Sequence, residues 1–230
     1  MDEDSHTACR SDHFSPSGSP SDAGSPARAS SLANTRARQT TARVSDDVLL
    51  DAARRCVLAV GLRRATLAEI ARTAKVSRMT LYRRFPDVRS VLSALMTREF
   101  GSVLHKASDE GVGAPTARER LVRSATAAVR LLNDDELMRT VIDIDTEVLM
   151  PYVVDRFGGT QRLGEQAITA HIEDGHRDGS IRTGELAVQA RAIMLVVQSF
   201  VLSLRPATAD LDAGRLLGEL GRLLHAALRP

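Results

Sequence analysis

At 230 residues the chain has room for one small reader domain and one helical body. Its 43% apolar content supports a real core, yet aromatics are 3% and Trp is absent, so that core is aliphatic and suits packed helices better than a β-sandwich. The net charge of +2 hides a segregation: residues 28–106 hold 14 Arg with Lys75 and Lys106 against six acids, a net +10, while 1–27 and 107–230 are each −4. Such a block suits a polyanionic partner, although charge alone also fits a solvated Arg-rich face. Cys9 and Cys56 stand apart in unlike settings, which argues against a disulfide framework and for a reducing compartment. The acidic start has no apolar run behind it, as a signal peptide would, and the apolar stretch 192–204 is too short to cross a bilayer. A cytoplasmic protein with no membrane partner is expected.

Residues 1–44 are rich in Ser, Pro, Ala, Gly, Asp and Arg, and cannot bury enough surface to offset ordering; a disordered tail is expected there. Its basic end, Arg28, Arg36, Arg38 and Arg43, reads either as a flexible tail or as an arm for phosphates. Ser45 then caps a first helix with Asp46 and Asp47 at its positive end. Leu49, Ala52, Ala53, Cys56, Val57 and Val60 form its apolar stripe, and Gly61 ends it. Thr66 with Glu69 has capping-box spacing and opens a second helix to about Ala74. Ser77 caps a third to about Arg84. After Pro86-Asp87 a long fourth helix carries Val88, Val91, Leu92, Leu95, Met96 and Phe100 on one side.

Gly111 to Pro115 reads as a loop, and Thr116 with Glu119 as a second capping box opening helix five. Asn133-Asp134-Asp135 caps a sixth, and the later glycines predict helices near 145–157 and 160–177. Residues 185–204 are apolar around nearly the whole circumference, with Gln189, Arg191 and Gln198 as exceptions, so this helix needs cover on more than one side. A last helix, about 210–228, sets Leu216, Leu217, Leu220, Leu223 and Leu224 beside Gly214, Gly218 and Gly221. The fold class is therefore all-α.

Residues 66–85 carry the sharpest signal. Two short helices joined by a tight turn cross closely, and Ala71 supplies the small residue at the crossing. Leu67, Ile70, Ala74, Val76, Leu81 and Phe85 close a small core against the first helix. Arg78 and Tyr82, one turn apart, then face outward with Met79 and Arg83 beside them, which suits a major groove. Helix-turn-helix geometry follows from the caps, the turn and the two faces together.

The run from Thr66 to Phe85, with Val76-Ser77-x-x-Thr80-Leu81-Tyr82-x-x-Phe85 at its centre, resembles the signature of the TetR family of transcriptional regulators. So does its setting, from Leu49-Leu50-Asp51-Ala52-Ala53 before it to Asp87 and Leu92 after it. The similarity covers residues 43–103; beyond 106 only the succession of helices matches. The resemblance implies a helix-turn-helix DNA-binding domain at 45–86 and a ligand-binding and dimerisation domain at 87–230. It implies a homodimer joined by its last two helices on a near-palindromic operator in double-stranded DNA, most often a repressor released by a small molecule. Carried over by position, Thr66, Ser77, Thr80 and Tyr82 grip phosphates, Arg78, Met79 and Arg83 face base edges, and Arg84 sits at the rim. The implied effector pocket lies among the middle helices, where Asp143, Glu147, Met150 and His171 are the candidate contacts.

Three departures stand out. Lys75 occupies the usual turn-glycine position, at a cost of about 1 kcal/mol if left-handed. Val88 replaces the customary Lys, leaving Arg63, Arg64 or Arg89 to compensate, and Ala68 is too short to reach a base. No dinucleotide fingerprint, P-loop, His-Glu-x-x-His or Gly-x-Ser-x-Gly occurs, so no enzyme, cofactor or metal is expected. Asp143, Asp145 and Glu147 stay open as a carboxylate cluster, ligand-binding acids or solvated helix charge. A ligand-independent DNA-binding dimer is the alternative reading; a large enclosed cavity in the body would disfavour it and a filled core would favour it.

Overall fold

The protein's structure is a computed structural model that describes residues 45–144 and 157–230; the predicted tail at 1–44 and nearly all of the predicted 145–157 helix lie outside them. Every regular element among the described residues is helical. The head comprises α1 (Asp46–Val60), α2 (Leu67–Thr73) and α3 (Arg78–Arg84). The body comprises α4 (Val88–Gly111), α5 (Ala117–Asp134), α6 (Glu136–Ile144), α7 (Gly159–Arg177), α8 (Leu186–Ala207) and α9 (Ala213–Leu228).

Side-chain caps set most of the starts. Ser45, Thr66, Ser77 and Thr116 each accept from the backbone N–H three residues on, at 3.5, 3.2, 3.1 and 3.2 Å. The two expected capping boxes are only half made, because Glu69 turns to Arg72 and Glu119 to Arg123 instead of reaching back. The reciprocal box forms at α4, where Ser90 N–H donates to Asp87 at 2.7 Å and Asp87 N–H to Ser90 at 3.4 Å. Asp135 alone caps α6, and Asp212 rather than Asp210 caps α9. Asp178, which ends α7, caps α5 from 61 residues away by accepting from Ala117 N–H at 2.8 Å.

Leu49, Ala52, Ala53, Cys56 and Val57 of the α1 stripe are buried, but Val60 is 44% exposed, because the helix ends there and its last turn overhangs the core. Leu67, Ile70 and Leu81 are buried beside them, with Ala74, Val76 and Phe85 half-buried against the same cluster. That cluster continues without a break into the body through Val91, Leu95, Leu137 and Val141. A second one joins α5, α7, α8 and α9 through Leu121, Val129, Ile172, Leu220 and Leu224. Between α4 and α5 the crossing is lined by small residues, Ala107 and Gly111 against Ser124, Ala127 and Ala128. A Cβ at Gly111 would stand 2.6 Å from Ser124 Oγ, so glycine sets how closely this hairpin packs.

The most apolar helix behaves as its circumference demands. On α8, Ala190, Ile193, Met194 and Val197 are buried, while Val188, Leu195 and Val196 on the other side stay exposed. Leu223 of α9 is exposed too, and Gly218 has open space around it. At 22 residues α8 is longer than the 192–204 stretch suggested and could cross a membrane by length and composition alone. Its buried side packs against α5 and α7, as a core helix would.

Candidate nucleic-acid interface and ligand cavity

Helix α3 is held by Leu81, which is fully buried, and by the half-buried Phe85 that follows it. Fixing that side aims the other outward. Met79 is 76% and Tyr82 48% exposed, and Arg78 and Arg83 are exposed beside them. Neither arginine meets a carboxylate among the described residues, nor does the exposed Arg89 at the start of α4. The phosphate-gripping candidates lie at helix starts: Ser77 Oγ and Thr80 Oγ1 are 2.8 Å apart at the head of α3, and Thr66 heads α2. An apolar Met between cations, with hydroxyls at one end, can contact base edges and phosphates together.

Two candidates look different in three dimensions. Arg84 is committed to Asp46 of α1 at 2.6 Å, so its guanidinium ties α3 to α1 before it can serve at a rim. Val88 packs half-buried on the head core, which accounts for an apolar residue there in place of a cation. The turn between α2 and α3 is the left-handed one expected. Lys75 has φ +57°, and the bonds Ala74 N–H to Ile70 O at 2.8 Å and Val76 N–H to Ala71 O at 3.0 Å hold it there.

A charge network ties the head to the body. Arg98 of α4 reaches Asp51 of α1 at 2.9 Å and its neighbour Glu99 at 2.7 Å; Arg54 of α1 reaches Glu99 at 3.5 Å and Asp135 at 3.7 Å. With Leu137 and Val141 of α6 in the head's own cluster, α1 cannot tilt without moving α4 and α6.

Within the body, α4, α5, α7 and α8 line a half-open cavity of about 140 Å³. Phe100, Leu104, Leu132, Met194, Val197 and Val201 supply its apolar wall; Thr160, Gln161 and Gln198 are its polar side chains among the described residues. Gly164 makes room for Met194, whose sulfur lies 2.9 Å from where a Cβ would stand. A wider cleft of about 420 Å³ lies open on α7 and the start of α8, where Glu165 is already paired with Arg191 at 2.5 Å.

Of the four ligand candidates only His171 has its side chain among the described residues. His171 is not in the wall of the half-open cavity; it stands half-buried on α7, and burial first, then the charge of Arg120, holds its pKa below the ordinary histidine value. Glu147, Met150 and the side chain of Asp143 lie outside the described residues, as does Asp145. Thr160, Gln161 and Met194 were missed. The available signal was Gln198, a polar side chain amid an otherwise apolar helix. Gln189, the similar exception, instead holds the fold together: it is buried, bonded to His176 at 2.8 Å and to Arg182 O at 3.0 Å.

Residues 49–95 match the family described as "Bacterial regulatory proteins, tetR family". An uncharacterised HTH-type transcriptional regulator of Mycobacterium tuberculosis is 34% identical over 180 residues, covering 78% of this chain and 92% of its own. One from Mycobacterium bovis matches over the same shares. Among solved structures, the regulator FadR from Bacillus subtilis in complex with stearoyl-CoA aligns with a TM-score of 0.58 at 18% identity, over 80% of this chain and all of that one. The TetR family repressor AlkX from Dietzia sp., implicated in biodegradation of n-alkanes, aligns with a TM-score of 0.57 at 18% identity, over 78% and 92%. These last two are likenesses of fold.

Proposed function

The chain belongs to the tetR family of bacterial regulatory proteins, and on that premise we propose a homodimeric repressor that a small molecule releases from a near-palindromic operator. The outward edge of α3, with Arg78, Met79, Tyr82 and Arg83 exposed over a buried Leu81, carries this reading. Two such helices entering successive major grooves would stand about 34–36 Å apart. Arg78 is positioned for a bidentate contact to guanine and Met79 for a thymine methyl. Arg83 faces base edges beside them, while Thr66, Ser77, Thr80 and Tyr82 hold phosphates. Arg84 acts by bracing α3 against α1.

The exposed apolar faces of α8 and α9 form the dimer contact, a four-helix arrangement about a two-fold axis. The half-open apolar cavity between α4, α5, α7 and α8 supports a ligand-responsive body. FadR with stearoyl-CoA and the alkane-linked AlkX have bodies of the same fold, which supports an aliphatic effector. A ligand that binds the DNA-incompatible arrangement more tightly would act through α4 and α6 on α1; equal affinity for both states would shift nothing. The protein thus works at DNA, in the cytoplasm.

Footprinting on the DNA flanking the protein's own gene, at stated salt, tests this reading. A protected near-palindrome is expected, with log affinity falling roughly 0.9 per neutralised phosphate for each decade of salt. Protection without any symmetric sequence preference would overturn it.

A further inference from the structure

We infer that the cavity between α4, α5, α7 and α8 takes an uncharged aliphatic molecule bearing a hydrogen-bond-accepting oxygen, such as a ketone, ester or lactone carbonyl. The inference deepens the effector reading and rests on it. Gly158 N–H donates to Gln161 Oε1 at 2.6 Å, which fixes the direction of that amide. Gln161 Nε2 must then donate to Gln198 Oε1, also 2.6 Å away. The relay engages the Gln198 carbonyl and leaves Nε2 as the spare donor of a side chain that lines the cavity. A backbone N–H cannot accept, so the sequence of donors cannot run backwards. The cavity therefore offers a donor and asks for an acceptor.

The described part of the wall argues against charge. Among the described residues, Leu104, Leu132, Val197 and Val201 give an ionised group no partner, and burying one unpaired costs far more than a neutral carbonyl that is hydrogen-bonded. Size sets the scale as well. An apolar cavity near 150 Å³ holds a ring of benzene size, so about 140 Å³ holds roughly six heavy atoms, and its half-open mouth leaves room for one or two more.

The test uses the full-length protein with four probes of that size: 2-heptanone, n-heptane, hexanoate and hexylammonium. Thermal-shift titration should show 2-heptanone binding about tenfold more tightly than n-heptane, the order of one neutral hydrogen bond. The two ions should bind at least about a hundredfold more weakly than the ketone. Gln198→Leu should erase the ketone's advantage while n-heptane still binds, its fold checked by thermal melting. Val197→Phe, which fills the cavity, should abolish both. Hexanoate matching the ketone, an undiminished ketone advantage in Gln198→Leu, or no binding by any probe would each overturn the assignment. Operator release is read separately: Gln198-dependent ketone binding that leaves the protein on DNA would support the ligand class and remove its effector role.

Discussion

Arg78 and Tyr82 stand one turn apart on α3, yet their replacement should have opposite signatures. On the proposed reading Arg78→Ala removes a base contact and should cost about 1–3 kcal/mol at one symmetric operator position, relaxing preference there. Tyr82→Phe removes the proposed phosphate hydrogen bond and should weaken all sites about equally. Binding to operator variants with single base changes separates them, and an Arg78→Ala variant with unchanged preference would withdraw the base contact. Lys75 makes a prediction about stability alone. Its φ of +57° strains a side-chain-bearing residue, and glycine relieves that strain while costing some chain entropy. Lys75→Gly should therefore raise stability by about 0.5–1 kcal/mol in denaturant unfolding, with the fold unchanged.

At the level of elements, the start of α5 depends on a residue far away in sequence. Asp178 accepts from Ala117 N–H at 2.8 Å and from Ser180 N–H at 2.9 Å. The hydrogen bond from the Ser180 side chain, then that of the Ala117 amide, hold its carboxyl below the ordinary aspartate range. A lowered folded pKa means the contribution is complete above the unfolded value, about 3.9, and is lost as pH falls through the folded one. Asp178→Ala should cost about 1 kcal/mol near neutrality, as the loss of a helix cap does. Denaturant midpoints of the variant and the parent should converge on acidification, and a gap that persists in acid would place the effect in packing instead.

For the whole molecule, the proposed dimer contact is the apolar face left open on α8 and α9. Leu195 is 55% and Leu223 54% exposed, on helices whose opposite sides are already buried. A charge placed there has no partner once the face is covered. Leu195→Glu should shift the protein to monomer in sedimentation and weaken operator binding by about a hundredfold or more, because the two heads no longer bind as one unit. A variant that stays dimeric would move the interface elsewhere.

The chain by itself determined the helical class, the caps at Ser45, Thr66 and Ser77 and the outward set on α3. These are local: each depends on residues within one or two turns, so spacing and side-chain type suffice. Only the tertiary structure decided that Arg84 is taken by Asp46, that Val88 is wanted for the head core, and that Glu69 prefers Arg72 to its own helix start. It also brought Gln161 and Gln198 together across 37 residues and set the Asp178 cap across 61. Contacts between distant segments depend on how helices cross, and crossing is set by packing volumes such as the space Gly164 leaves for Met194, which no periodicity records.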